Sequence, residues 1–286
     1  MQFWMALMFE PLDQFHQLAR WAEELGFEGL ALADHVALPS GFGSVHPSGD
    51  NPFGPESLFP DPFTSIASMA AVTSRLRFMS YVYILAMREP FSVAKQVATA
   101  ATLSDNRVVM GAGVGWLTEE ISLLGHPVAG RGRRVDEMLD IIRDFWADGW
   151  AEHHGECYDF GPTAMFPVPS GPIPIWIGGK SGAALARAAR MDGWVGMNYD
   201  LDEVHHLLDE LDRALVSAGR DREGFEVLVI PNAAPDADLY RRLADRGVTS
   251  TVALPWPTGD PAFASLAAKR AAMERFAEEV IVAAGR

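Results

Sequence analysis

The chain has 286 residues, 49% of them hydrophobic and 21% charged, and a single cysteine, Cys157. Such a composition suits a soluble globular enzyme, excludes an intramolecular disulfide framework and fits a reducing, cytoplasmic setting. The formal charge of −15, with no sustained basic stripe, speaks against nucleic acid as a partner, because phosphate contacts need clustered Lys and Arg. No apolar run approaches the roughly 20 residues that span a bilayer, so no membrane partner is expected.

The opening residues lack the basic n-region and cleavage site of a signal peptide and read as a first strand, 3–8. A helix is predicted from Asp13 to Leu25, with Phe15, Leu18, Ala19, Ala22 and Leu25 on one face and Gly26 as its stop. A second strand, 29–33, runs into Asp34-His35. Residues 38–60 follow, a loop rich in Gly, Pro, Ser and Asn that is longer than ordinary connections and suits a functional lid. Asp61-Pro62 opens the next helix as an N-cap with proline at the first position. Strand 76–82 and a helix from Glu89-Pro90 to Leu103 come next, then strand 108–111.

That strand enters a turn carrying Gly111, Gly113 and Gly115, where a flat ligand or another backbone can approach closely. Glu119 and Glu120 on the following helix read as solvated or capping acids. Arg131, Arg133 and Arg134 open another helix and are expected to pair with Asp136, Glu137 and Asp140 on the surface. Residues 149–171 break the alternation; within them 153–160 alternates in a way that suits a hairpin. Strands 173–177, 193–196, 226–230 and 250–254 complete the series, with helix starts at Ser181, Asp202 and Asp260-Pro261.

Eight apolar runs without strict alternation are the mark of parallel strands buried on both faces. Helices between them, and no GxGxxG at the first one, point to a closed barrel and away from a doubly wound dinucleotide fold. The expectation is a single domain over residues 1–286, a (β/α)₈ TIM barrel with insertions after strands 2 and 4.

In such a barrel the chemistry sits at the C-terminal strand ends. Asp34 and His35 fall there, a carboxylate and an imidazole able to orient a ligand and transfer a proton, or simply to cap a loop. Segment 172–182 is more specific: an apolar strand ends in Gly178-Gly179, and Ser181 starts a helix of small residues. Exposed backbone N–H groups and a helix N-terminus suit a phosphate, with Lys180 able to add charge. No metal site is expected, because His153-His154 and His205-His206 are adjacent pairs and HxH, HExxH and CxxC are missing. GxSxG is missing too. Trp4, Phe42, Phe53, Tyr81, Trp116, Trp194 and Trp256 suggest an apolar pocket or barrel packing.

Segments 26–39, 75–125, 131–146 and 172–194 together resemble the bacterial luciferase-like family, in particular its F420-dependent oxidoreductase branch, most clearly from residue 27 to residue 196. The resemblance implies a (β/α)₈ barrel with an insertion after the fourth unit, a homodimer or larger assembly, and the deazaflavin F420 or, as the alternative, FMN. It places Asp34 near the edge of the cofactor ring and His35 beside it as proton acceptor or orienter. It implies a non-proline cis peptide at Tyr81-Val82, places Gly113 and Val114 beneath the ring, and gives Trp176, Ile177, Gly178 and Gly179 to the ribityl phosphate. Sugar-phosphate dehydrogenases of this branch carry a catalytic glutamate where Val114 stands, which argues against a phosphorylated sugar. The implied reaction is hydride transfer with a small organic substrate under the 38–60 loop; an FMN monooxygenase served by a reductase, and a barrel that only carries cofactor, are the competing readings.

Overall fold

The structure is a computed structural model that describes residues 1–285 apart from 48, 50 and 52. Among the described residues the strands are β1 (Gln2–Ala6), β2 (Gly29–Leu32), β3 (Arg77–Ser80), β4 (Tyr83–Ile84), β5 (Val108–Gly113), β6 (Trp150–His154), β7 (Asp159–Ala164), β8 (Ile175–Gly178), β9 (Gly193–Tyr199), β10 (Glu226–Pro231) and β11 (Ser250–Ala253). The helices are α1 (Phe15–Glu24), α2 (Pro62–Ala70), α3 (Pro90–Leu103), α4 (Thr118–Leu123), α5 (Arg131–Asp148), α6 (Gly182–Ala188), α7 (Leu201–Ser217), α8 (Ala237–Asp245) and α9 (Leu266–Phe276). Strands β1, β2, β3, β5, β8, β9, β10 and β11 pair in parallel in that order, and β11 returns to β1, so the sheet closes. This is the expected eight-stranded barrel. One insertion separates β2 from α2; the other is the antiparallel β6–β7 hairpin after the fourth barrel strand.

Every barrel strand is apolar on both faces because each face packs something different. Outward side chains meet the helices in a large shared core. Inward side chains fill the lumen, where Trp4 and Trp176 meet edge to face with centroids 5.7 Å apart, amid Ala31, Met79, Val109 and Leu228. Two indoles fit only because glycines face them. A Cβ at Gly29 would lie 2.4 Å from the Trp4 ring, and one at Gly193 would lie 2.7 Å from Trp176. The lumen is therefore a packed plug, and any ligand must sit above it, at the C-terminal mouth.

The anticipated helix starts differ in detail. Asp61 accepts the Thr64 N–H at 2.7 Å and Glu89 accepts those of Phe91 and Ser92, each ahead of a proline. Asp202 lies one position inside α7, whose N-cap is Asp200, and Asp260-Pro261 opens only a three-residue 3₁₀ turn before Ser265 caps α9. The arginines at the start of α5 do not pair along their own helix. Arg133 reaches Glu156 of the hairpin loop, and buried Arg134 donates to the carbonyls of Ala86 and Pro127. Asp136 and Glu137 are engaged elsewhere, by Arg187 and Arg190 and by the 156–158 backbone. Tertiary packing of α5 against the hairpin overrides the local i,i+3 and i,i+4 pairings.

Candidate functional site

Two arcs of the barrel mouth carry polar groups. The first begins at the end of β2, where the chain leaves the sheet with Asp34 and His35, both buried. His35 Nδ1 lies 2.6 Å from Glu120 Oε2, and the second Glu120 oxygen accepts the N–H groups of Val36 (2.6 Å) and Ala37 (3.0 Å). Glu120 is fully enclosed. Burial works against its charge, but the His35 contact and the two N–H donors outweigh it and hold the carboxyl below its ordinary value.

Asp34 is tied elsewhere. Arg88 forks onto it, Nη1 to Oδ2 and Nη2 to Oδ1, each at 2.8 Å, and the Ile84 N–H adds a third bond to Oδ2 at 2.8 Å. The guanidinium lies 3.7 Å over the Tyr83 ring and also donates to the Ile84 carbonyl. Burial pushes the Asp34 carboxyl up against these bonds. Arg88 further lines a cavity of about 390 Å³ with Asp61, Tyr83, Glu89, Gln96 and His126. The resemblance puts Asp34 near the edge of the cofactor ring; both its oxygens are engaged by Arg88 and the Ile84 N–H, and the carboxylate in contact with His35 is Glu120.

The 38–60 loop folds over His35; positions 48, 50 and 52 of the anticipated lid lie outside the described residues. Phe59 and Phe53 stand 4.7 and 5.0 Å from the imidazole, and Trp116 stands 6.0 Å away. Phe42 and His46 pack on Trp116, while Phe9 packs on Phe53 and Phe59. Glu119 anchors this loop by accepting from the Ser44 hydroxyl (2.6 Å) and from the N–H groups of Gly43 (2.7 Å) and Ser44 (3.1 Å). The Ser44 hydroxyl and the backbone donors lower its carboxyl to about 2. Of the two readings of the α4 glutamates the capping one holds: Glu119 accepts the N–H groups of Gly43 and Ser44, and Glu120 those of Val36 and Ala37 while also meeting His35.

Between the arcs lies a ledge. The Tyr81–Val82 peptide is cis, at the junction of β3 and β4. Val82 lies between two glycines: a Cβ on Gly113 would come within 2.8 Å of its Cγ2, and one on Gly178 within 3.0 Å of its Cγ1. Three residues expected near the cofactor therefore touch, and the two glycines make room for the Val82 side chain between them. Val114 is half-buried beside them, and burial pushes the Tyr81 phenol up.

The second arc is the end of β8. Gly179 has φ +120°, and its carbonyl accepts the Trp194 indole N–H at 2.8 Å. Ser181 caps α6 by accepting from Ala184 N–H at 3.2 Å, and Lys180 donates to Glu203 at 2.7 Å. The two polar side chains expected at a phosphate are already engaged, so what this arc offers is backbone. The Trp176 side chain lies in the lumen and that of Ile177 in the outer core, which leaves their backbone for the contact the resemblance implies. Of the aromatic residues, Phe42, Phe53 and Trp116 gather around His35. Trp4 fills the lumen, Trp194 braces Gly179, and Trp256 donates to Glu10 at 2.8 Å.

Sequence reasoning missed Arg88, Glu119 and Glu120 as site residues. A carboxylate ending an apolar strand needs a buried partner, but nothing local says which of 23 basic residues supplies it. Among the described residues no group of three or more His, Cys, Asp or Glu could hold a metal ion, and no helix is long and apolar enough to cross a membrane.

Known proteins share this architecture. An uncharacterised protein of Mycobacterium tuberculosis is 38% identical over 270 residues, covering 92% of this chain and 93% of that one. An F420-dependent glucose-6-phosphate dehydrogenase of Microbacterium testaceum is 28% identical over 214 residues, covering 73% of this chain and 60% of the enzyme. Among solved structures, the monooxygenase RslO1 from Streptomyces bottropensis superposes with a TM-score of 0.77 at 19% identity, over 99% of each chain. An F420-dependent secondary alcohol dehydrogenase in complex with an F420-acetone adduct does so with a TM-score of 0.76 at 16% identity, over 100% of this chain and 99% of that one. The family model for luciferase-like monooxygenases matches residues 2–246, and with a closed barrel bearing its polar residues at the C-terminal mouth, this chain belongs to the luciferase-like monooxygenase family.

Proposed function

We propose that this protein is an F420-dependent oxidoreductase that passes a hydride between the deazaflavin and a small, largely apolar organic substrate held beside His35. The observation that carries the reading is His35 itself. It is buried at the mouth, held at Nδ1 by an ionised carboxylate and surrounded by Phe53, Phe59 and Trp116.

The residues present fit a flat cofactor. Tyr81, Val82, Gly113 and Val114 would lie against its ring, and the backbone from Gly178 to Ser181 would face its phosphate. When bound, the deazaflavin accepts or donates the hydride. The chain supplies the rest. His35 takes the proton an alcohol releases as it becomes a carbonyl, or returns it in the other direction. The loop rings exclude water and place the substrate. Arg88 and Asp34 brace the backbone that carries His35. The F420 named in the glucose-6-phosphate dehydrogenase relative supports the deazaflavin reading. Val114, in place of the acid expected of sugar-phosphate dehydrogenases, favours an unphosphorylated substrate.

Calorimetric titration with F420 and with FMN tests the cofactor, and a panel of alcohols, ketones and enones tests the reaction by deazaflavin absorbance. F420 is expected to bind and at least one carbonyl or enone to reoxidise its reduced form. Tight FMN binding with no F420 affinity overturns the proposal. His35→Ala should lower turnover by about 10²–10⁴-fold while leaving cofactor affinity within a few-fold. Near-wild-type turnover would remove His35 from proton transfer.

A further inference from the structure

The Glu120 carboxylate is immobilised from three directions. Oε1 accepts the Val36 and Ala37 N–H groups at 2.6 and 3.0 Å, and Oε2 faces His35 Nδ1 at 2.6 Å. Its side chain is 0% exposed and that of His35 is 6% exposed, so water does not compete for the contact. An ionised carboxylate only accepts hydrogen bonds; a neutral imidazole paired with it at Nδ1 must carry its proton on Nδ1 and its lone pair on Nε2. Around the ring stand Phe53, Phe59 and Trp116. Among the described residues nothing hydrogen-bonds to Nε2.

We infer that Glu120 is the positioning residue of this site, fixing His35 as the Nδ1–H tautomer and making Nε2 the one nitrogen that exchanges a proton with substrate. What Nε2 does rests on the function proposed above; the tautomer does not. Glu120 touches neither substrate nor reacting atoms and acts only through His35. A purely structural role, capping the 36–37 backbone, would leave the tautomer indifferent to its charge.

Glu120→Gln separates the two roles. The carboxamide oxygen can keep the Val36 and Ala37 N–H groups, which puts the amide nitrogen, a donor, against Nδ1. His35 must then accept at Nδ1 and move its proton to Nε2. The experiment is ¹⁵N NMR of the apoprotein labelled at histidine, with the His35 signals assigned by their loss in His35→Ala. In the neutral form the wild type is expected to show a protonated Nδ1 and an unprotonated Nε2, and Glu120→Gln the reverse. A wild type that shows the Nε2–H tautomer or an even mixture overturns the inference, and this holds even where Glu120→Gln fails to fold. An unchanged tautomer in a folded Glu120→Gln overturns it as well. With F420 and a substrate from the panel, kcat of Glu120→Gln should fall by at least about 10²-fold with KM little changed. Tautomer inversion with no F420 turnover in the wild type would sink the function and leave the positioning role standing.

Discussion

The two polar arcs of the mouth are built on different principles. At the end of β2, charged side chains hold the site, Asp34, His35 and Glu120 buried and Arg88 and Glu119 half-buried: Asp34 with Arg88, His35 with Glu120, and the loop with Glu119. At the end of β8, the chain offers backbone, shaped by Gly178 and Gly179 and capped by Ser181, while its lysine points to a surface glutamate. On the function proposed above the first arc moves a proton, which needs an imidazole held with one nitrogen free. The second is suited to holding an anion, which needs only fixed donors. The contrast predicts that substitutions on the β2 side act through uncompensated charge and those on the β8 side through shape.

The largest effect should come from Arg88→Leu. It leaves the Asp34 carboxylate buried with only the Ile84 N–H, and breaking one partner of a buried pair typically costs about 3–5 kcal/mol. Urea denaturation should show a loss of that size, and Asp34→Asn in the same background should recover part of it by removing the stranded charge. Equal urea midpoints for wild type and Arg88→Leu would mean that the pair does not hold the β2 arc.

The same contrast explains what was legible in the chain. The β8 arc is local: Gly178, Gly179 and Ser181 are consecutive or nearly so, and Ser181 caps a residue three positions on. The eight strands were likewise visible, because each carries its apolar run within itself. Only ends shifted, as where 108–111 continues to Gly113 and 76–82 divides at the cis peptide into β3 and β4. The β2 arc is not local. Its pairs join residues 85 and 54 positions apart, brought together by the β2–β3–β5 order of the barrel. Adjacent glutamates 119 and 120 look alike in sequence. Only the orientation of α4 turns one inward to His35 and the other toward Ser44.

Next in size is the ledge between the arcs. Gly113→Ala places a methyl within 2.8 Å of Val82 Cγ2, and overpacking of this kind costs about 1–3 kcal/mol. Val82→Ala should relieve most of it. A double-mutant cycle is therefore expected to give a coupling of about 1 kcal/mol in favour of the pair. Additive effects would separate Val82 from Gly113 and dissolve the ledge.

Glu119 tests whether the loop belongs to the charged arc. Its carboxyl is lowered to about 2 from an ordinary 4.5, so the stabilisation it gives the loop is fully present above 4.5 and is lost only as pH falls through about 2. Hydrogen exchange should show the Gly43 and Ser44 amides still protected at pH 4 in the wild type, and released between there and pH 2. Glu119→Ala should lose that protection already at neutral pH. Wild-type release centred above pH 4.5 would show that the carboxylate is not what holds them.

The smallest effect is expected from Lys180→Ala. The Lys180–Glu203 pair is exposed, and such pairs contribute about 0–1 kcal/mol, so the urea midpoint should barely move. Cofactor affinity is the informative measurement. If the β8 arc holds the phosphate through Gly178–Ser181 backbone donors, calorimetry should show F420 binding weakened by less than about tenfold, under 1.4 kcal/mol. A loss of a hundredfold or more would mean that Lys180 leaves Glu203 for the phosphate. Both arcs would then work through charged side chains, and the division between a proton-handling side and a backbone side would fall.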